Sequence, residues 1–163
     1  MSDRSPRGTG GGPVRRVRLP LFDLLREDEE AGGLGDPVDQ LRAAVLRDLE
    51  ALLNARRRRR PPPPQLHRLA QSPVGYGIPD VTAGAYALES RRYELARDVG
   101  ATIRRFEPRL AELSVSVLDP GSALDRTLRL RIEAVLLADP VREAMSFETV
   151  VEPATHDVRL REV

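Results

Sequence analysis

The chain has 163 residues, a length that suits one compact domain and is too short for two comparable ones. Its 26 basic and 25 acidic residues nearly balance, so the overall charge favours neither nucleic acid nor an anionic membrane as the main partner. It contains no Cys, which excludes disulfides and thiolate chemistry and fits a cytoplasmic protein.

The N-terminal region divides into a leader and an apolar peptide. Residues 1–18 are rich in Gly, Ser and Arg and lack the apolar run of a secretory signal or a membrane span, so we predict a disordered leader. Residues 19–35 begin with an apolar cluster and continue into four consecutive acidic residues. Such a segment either folds back on its own domain or docks into a neighbour's groove. We favour self-packing as an anchoring peptide, so the predicted single domain covers residues 19–163.

A first long helix is predicted to begin after Asp36 and to end near Asn54. Asp36 is an N-cap candidate, and Pro37 suits the first helical position. Apolar residues recur at three- and four-residue steps, a stripe typical of core packing, and they are Val38, Leu41, Val45, Leu49, Leu52 and Leu53. The arginine and proline runs that follow predict a semi-rigid spacer over residues 58–66. The arginines favour solvated charge or a protein contact over nucleic acid, because no aromatic residues are interleaved with them.

A Gly- and Pro-rich stretch over residues 71–80 precedes the second long helix. Glycines on both sides of Tyr76 permit positive φ or a close backbone approach, so we predict a structured loop that wedges the ring against the helices. From about Ser90 the pattern is helical again, and its apolar side comprises Tyr93, Leu95, Val99, Ile103 and Phe106. Pro108 disfavours the α conformation in the residue before it, so this helix should stop near Glu107.

The segment over residues 106–110 places a carboxylate and a guanidinium on either side of a proline. The helix dipole puts partial negative charge at the helix C-terminus, where Glu107 gains nothing without a hydrogen-bond donor. Two interpretations remain open from the residues alone. Either Arg109 satisfies Glu107 in an internal clasp, or the donors of a partner protein satisfy it at an interface.

Beyond Pro108 the pattern changes to the alternation of β-strands. Leu113, Val115 and Val117 predict a first strand, and the alternating apolar residues from Leu128 to Leu136 predict a longer second one. Residues 147–151 predict a third strand, and residues 158–161 a short, exposed last strand. We therefore expect an α+β fold in which two main helices pack on a small antiparallel sheet of three to four strands.

Three ordered motifs stand out along the chain. The first spans residues 47–57 and includes Leu52, Leu53, Asn54 and Arg56. The second comprises Tyr76, Gly77, Ile78, Pro79 and Asp80, and the third runs from Phe106 to Leu110. They resemble the motifs of the TssE family, the baseplate wedge subunits of type VI secretion systems. Segments 21–23 and 147–149 also match, so the resemblance covers residues 19–163. The chain departs from the family at Ala55, where Thr is usual, at Pro73, and in its longer arginine and proline runs.

The resemblance implies a structural role in the baseplate on which a contractile sheath polymerises, with a fold shared with a phage baseplate protein. It implies that Glu107, Pro108, Arg109, Phe22 and Asp23 bind partners. Those partners would be the wedge subunits TssF, TssG and TssK and the sheath proteins TssB and TssC. The sheet edge would template the first sheath ring by β-augmentation. The implied assembly is hetero-oligomeric and lies in the cytoplasm, docked at the inner membrane without insertion and without nucleic acid.

Two alternatives are a wedge subunit of a phage-tail-like contractile particle and a peptidoglycan hydrolase. Glycoside hydrolysis needs two carboxylates about 5 to 10 Å apart that flank the sugar. Asp48 and Glu50 are two residues apart on a helix and do not face each other. Arg109 beside Glu107 favours the ionised carboxylate, whereas a general acid must be protonated. There is also no Trp for sugar stacking. The sequence therefore predicts no enzymatic activity.

The sequence also offers no site for a metal ion or a cofactor. His67 and His156 are isolated, and we predict that both are surface residues. Neither the spacing of metal ligands nor a phosphate-binding glycine loop occurs in the sequence. We therefore predict no cofactor.

Overall fold

The computed structural model describes residues 36–58, 60, 62–63, 65–79, 88–118, 127–139, 141–151 and 157–163. The helices are α1 (Pro37–Asn54), α2 (His67–Ala70) and α3 (Glu89–Phe106), and the strands are β1 (Leu110–Leu118), β2 (Leu128–Ala138), β3 (Val141–Val151) and β4 (Val158–Glu162). The predicted α+β fold, with two main helices and a small antiparallel sheet, is confirmed. The leader, the peptide with Phe22 and Asp23, and the motif residue Asp80 lie outside the described residues.

Helix α1 begins and ends where the sequence predicts. The backbone N–H of Val38 donates to Oδ1 of Asp36 at 3.0 Å, which satisfies one of the free donors of the first turn. Pro37 occupies the first helical position, where the missing N–H removes no helical hydrogen bond. The whole predicted apolar stripe is buried, and α1 ends at Asn54.

Helix α3 begins at Glu89 and ends at Phe106, before the predicted break. The backbone N–H of Glu107 still donates to the carbonyl of Ile103 at 2.8 Å, but Pro108 has no N–H with which to continue the helix. The prediction that Tyr93 belongs to the apolar side is wrong, because its side chain is 58% exposed. The buried face of α3 starts two residues later, at Leu95, so the first turn carries no core residue.

The four strands pair antiparallel in the order β1-β2-β3-β4. The predicted alternation of β2 is observed, since its apolar residues from Leu128 to Leu136 are buried. Strand β3 begins at Val141, six residues before the predicted start, and pairs with β2 along its full length. Strand β1 begins at Leu110 and contains an irregularity in its register between Ala111 and Ser114. Glu112, inside this bulge, has a φ of 51°.

The hydrophobic core lies where α1 and α3 meet one face of the sheet. Phe147 of β3 is fully buried in it, together with Leu49 of α1, Ile103 of α3 and Ile132 of β2. The opposite face of the sheet carries charged side chains, and there Arg131 of β2 pairs with Glu148 of β3 at 2.6 Å. The alternation predicted from the sequence therefore separates an apolar face from a charged one.

The segment between α1 and Pro79 closes on itself. The backbone N–H of Arg57 donates to the carbonyl of Ile78 at 2.8 Å, and that of Ile78 donates to the carbonyl of Ala55 at 3.0 Å. Gly77, beside this closure, has a φ of 96°, and an added Cβ would lie 2.4 Å from the carbonyl oxygen of Ala55. The structured loop predicted over residues 71–80 is therefore confirmed as far as Pro79. The closed segment also contains two elements that the sequence did not predict, α2 and a 3₁₀ turn, Pro73–Gly75.

Candidate functional site

The three motif segments meet at one groove with a cavity volume of about 450 Å³. Its lining residues come from α1, from the loop before α3 and from the turn between α3 and β1. They are Asp48, Ala51, Leu52, Tyr76, Phe106, Glu107, Pro108 and Arg109. We call this site the motif groove. All eight residues belong to the three motifs recognised in the sequence.

Arg109 lies between two carboxylates of the groove. Its Nη2 donates to Oδ2 of Asp48 at 2.6 Å and also to Oε2 of Glu107. Its Nε donates to Oε1 of Glu107, and its backbone N–H reaches the same oxygen at 3.3 Å. This two-pronged pairing matches the planar fork of a guanidinium to both oxygens of Glu107. The ion-pair cluster therefore ties α1 to the turn between α3 and β1.

Burial differs widely across this cluster. Glu107 is 4% exposed, whereas the side chain of Arg109 is 21% exposed and that of Asp48 is 43% exposed. The hydrogen bond to Glu107 is the main reason that the pKa of Arg109 is raised above its ordinary range, and the bond to Asp48 adds to it. From the solvent side, Arg47 approaches Oδ1 of Asp48 at 3.5 Å. Asp48 is thus the most exposed carboxylate of the cluster.

The structure decides between the two interpretations of Glu107. Both carboxylate oxygens accept hydrogen bonds from Arg109, so the internal clasp is the arrangement observed. In this chain the carboxylate is not left without donors, because the turn at Pro108 brings the guanidinium back onto the end of α3. Whether Glu107, Pro108 and Arg109 bind partners stays a prediction.

An aromatic pair forms the other wall of the motif groove. The rings of Tyr76 and Phe106 meet edge to face, with centroids 5.3 Å apart and an interplanar angle of 75°. Both side chains are half-buried. Burial is the main cause that raises the pKa of Tyr76, and the negative charges of Asp48 and Glu107 add to it. The predicted wedging of the tyrosine ring against the helices is confirmed by these contacts.

Asn54, the last residue of α1, holds the start of β4. Its Oδ1 accepts the backbone N–H of Val158 at 2.8 Å, and its Nδ2 donates to the carbonyl of Val158 at 3.0 Å. The sequence placed Asn54 in a motif but did not predict that it binds β4, because Val158 lies 104 residues away along the chain. An amide side chain that satisfies one N–H and one C=O of a strand imitates a neighbouring peptide group.

Other motif residues support the motif groove from inside the fold. Leu53 and Leu110 are buried in the core, and Arg56 forms an isolated parallel bridge with Ile78. Pro79 is half-buried beside that bridge. These residues hold the ends of α1, the loop and β1 in place and do not line the groove.

Strand β4 lies at an edge of the sheet. Just beyond it, the backbone N–H of Val163 donates to the carbonyl of Ser146 in β3 at 3.0 Å. Since the direction of backbone groups alternates along an antiparallel strand, the N–H and C=O groups of Val158, Leu160 and Glu162 point away from β3. Asn54 takes those of Val158, so the open edge of β4 begins at Leu160.

The arrangement of the acidic residues does not resemble a pair of catalytic carboxylates. Asp48 and Glu107 bind the same guanidinium, and Glu50 lies exposed on α1. Within the described ranges, no three His, Asp or Glu side chains are grouped so as to hold a metal ion. His67 is exposed on α2, as predicted, and His156 lies outside the described residues. None of the described helices is long and apolar enough to span a bilayer.

Comparisons with known proteins match this chain to a baseplate component. The family described as baseplate wedge protein gp25 matches residues 39–141, which include α1 from its third residue onward, the whole motif groove, β1 and β2. A solved chain from "The baseplate complex from the type VI secretion system" is 18% identical over 70% of this chain and 96% of that one, with a TM-score of 0.48. No curated protein matches the chain. Because the family match covers well over half of its length, the chain belongs to the baseplate wedge protein gp25 family.

Proposed function

We propose that this chain is a structural, non-enzymatic subunit of a type VI secretion baseplate and that the motif groove binds the neighbouring wedge subunits. Family membership supports the baseplate role. The single observation that carries the site is that all eight lining residues belong to the three motifs that resemble the TssE family. The same motifs favour a type VI system over a phage-tail-like particle. The proposed partners in the groove are TssF, TssG and TssK, in a cytoplasmic baseplate docked at the inner membrane.

The groove offers a partner two kinds of contact. Tyr76 and Phe106 form an aromatic wall, and the exposed side of Ala51 leaves room beside it. Asp48 presents a carboxylate that is half-exposed and already oriented by Arg109. An amphipathic helix that carries apolar residues on one face and a cation at its margin matches both walls. In this proposal Glu107 is a positioning residue, because it holds Arg109 from a buried site.

We further propose that the open edge of β4 receives a strand from the contractile sheath proteins TssB and TssC. The support is the outward direction of the backbone groups of Leu160 and Glu162. Asn54 already occupies the edge at Val158, so an added strand would pair with β4 from Leu160 onward. Main-chain hydrogen bonds would then provide the affinity, as they do when other sheets are extended at an edge.

A bulky charge in the groove tests the wedge contact. Ala51 is exposed and lines the groove, so Ala51→Arg should block it without removing a core contact. Ala43 is exposed on the same helix outside the groove, and Ala43→Arg is the matched control. Tagged chains are purified from the native host and the bound wedge subunits are quantified. We expect the Ala51→Arg chain to lose at least about 90% of them, since a clash at an interface centre costs more than 1.4 kcal/mol, and the Ala43→Arg chain to keep them.

Equal recovery with both folded variants would exclude the motif groove as the wedge contact. If the wild-type chain recovers no wedge subunit while the secretion genes are expressed, the baseplate proposal fails. The identity of the recovered proteins also separates a type VI baseplate from a phage-tail-like particle. A loss of turbidity when the purified chain is added to cell-wall suspensions would contradict a non-enzymatic role.

A further inference from the structure

A strongly basic loop follows α1 in the chain. We define it as the described residues between 56 and 75, and its base is closed by the hydrogen bond between the backbone N–H of Arg57 and the carbonyl of Ile78. Residues 51–79 contain six Arg residues and one His residue but no Asp or Glu. Arg58, Arg60 and Arg68 are exposed. In a chain whose total charge is nearly balanced, this loop is a local concentration of positive charge.

The same basic loop exposes large apolar side chains. Leu66 is 51% exposed, Leu69 is 39% exposed and Val74 is 37% exposed. The backbone N–H of Leu69 donates to the carbonyl of Leu66 at 2.9 Å, so these two residues stand one turn apart on the same side of the short helix. Apolar side chains of this size are stabilised by leaving water, whereas the arginines around them favour an anionic surface.

We propose that the basic loop binds an anionic lipid surface. The arginines would pair with lipid phosphates, and Leu66 and Leu69 would enter the boundary between headgroups and acyl chains. Nucleic acid fits these residues less well, because residues 56–75 contain no Phe, Tyr or Trp on which bases could stack. A purely electrostatic partner would leave the exposed leucines without a role.

The basic loop is held by contacts with the end of α3 and contributes no residue to the lining of the motif groove. Nη1 of Arg105 on α3 donates to the carbonyl of Ala70 at 3.3 Å, which joins α2 to the end of α3. A Cβ on Gly75 would lie 2.1 Å from the carbonyl oxygen of Ala70, so the 3₁₀ turn packs directly on α2. None of the groove-lining residues lies within residues 56–75. Lipid binding and wedge binding can therefore be tested independently.

Vesicle flotation with the full chain tests the proposal. The chain should float with vesicles of phosphatidylcholine and phosphatidylglycerol and should not float with phosphatidylcholine alone. Replacement of Arg57, Arg58 and Arg60 by Gln should weaken binding roughly 100-fold, because each arginine near an anionic surface contributes about 1 kcal/mol, or about fivefold. The matched control replaces three exposed arginines elsewhere, Arg97→Gln, Arg159→Gln and Arg161→Gln, and should weaken binding no more than about threefold.

The leucines separate a lipid surface from a general polyanion. The double variant Leu66→Ser and Leu69→Ser changes exposed side chains and should keep its fold, which circular dichroism checks. We expect this variant to bind anionic vesicles at least about tenfold more weakly while its binding to duplex DNA is unchanged. Undiminished vesicle binding by the serine variant, or no vesicle binding by the wild type, would overturn the proposal. Ala51→Arg should bind vesicles as the wild type does, so failure of the groove proposal leaves this test intact.

Discussion

At the scale of single residues, Arg109 connects two parts of the chain through its guanidinium. It holds the buried carboxylate of Glu107 at the end of α3 and the half-exposed carboxylate of Asp48 on α1. The charge pair around Pro108 could be predicted from adjacent residues, but its contact with Asp48 could not, because 61 residues separate them. Sequence alone also left open whether the clasp was internal, since that depends on how the turn at Pro108 folds.

Removal of the Glu107 carboxylate should cost stability. We expect Glu107→Ala to lower the free energy of unfolding by about 3 kcal/mol, because removal of one partner from a buried ion pair leaves the other uncompensated. The value is at the low end of the usual range because Asp48 still binds Arg109. Urea unfolding measures it, and Glu94→Ala, which breaks an exposed pair with Arg91, is the control, expected to change stability by about 0.5 kcal/mol or less.

If Glu107 acted only at an interface, Glu107→Ala would weaken assembly and leave the fold intact. The clasp instead predicts a loss of stability. If Glu107→Ala and Glu94→Ala lower the free energy of unfolding equally, the clasp contributes no more to stability than a surface ion pair does. The Ala51→Arg variant is the cleaner probe of assembly, because its side chain is exposed at the groove.

Tyr76 should make the stability of the protein depend on alkaline pH. Its folded pKa is raised above the ordinary value of 10.0, first by burial and then by Asp48 and Glu107. The folded state therefore keeps the phenolic proton to higher pH than the unfolded state does. The stability contributed in this way is complete below about pH 10 and is lost as the pH rises through the folded pKa. Above about pH 10, the free energy of unfolding should fall more steeply for the wild type than for Tyr76→Phe, and equal slopes would contradict this.

At the scale of helices and strands, the strongest sequence signals were the most accurate. The cap at Asp36, the apolar stripe of α1 and the alternation of β2 all predict what is observed. The short helix α2 has four residues, too few to show a helical period, and β3 starts in a stretch without regular alternation. Tyr93 followed the helical period, but its turn of α3 lies beyond the core. Periodicity identifies a face, whereas burial also requires a neighbour on that face.

The open edge of β4 can be probed at one backbone N–H. The N–H of Glu162 points away from β3, so Glu162→Pro should remove an edge donor and spare the ladder with β3. Glu162→Ala removes the same carboxylate and keeps the N–H, and is therefore the matched control. If a sheath strand pairs with β4, the proline variant should reduce co-purification of sheath proteins at least about fivefold, since one main-chain hydrogen bond contributes about 1 kcal/mol. Equal recovery with both variants would exclude pairing at this position.

At the scale of the whole molecule, the site is harder to predict than the fold. The order of helices and strands follows from local patterns, and the motifs could be recognised one by one. That they line one groove depends on the packing of α1 against the end of α3 and on the loop closed by Gly77. The hydrogen bonds between Asn54 and Val158 form only when the last strand joins the sheet. Such long-range contacts have no local sequence signal.

No single segment of the chain forms the motif groove by itself. Its charged wall joins residues 61 positions apart, and its aromatic wall brings a loop onto the end of a helix. A misfolded copy would lack the groove even if every motif were present in its sequence. Under the proposed function, entry into the baseplate would therefore act as a proofreading step, because the contact that recruits the subunit exists only after its folding is complete.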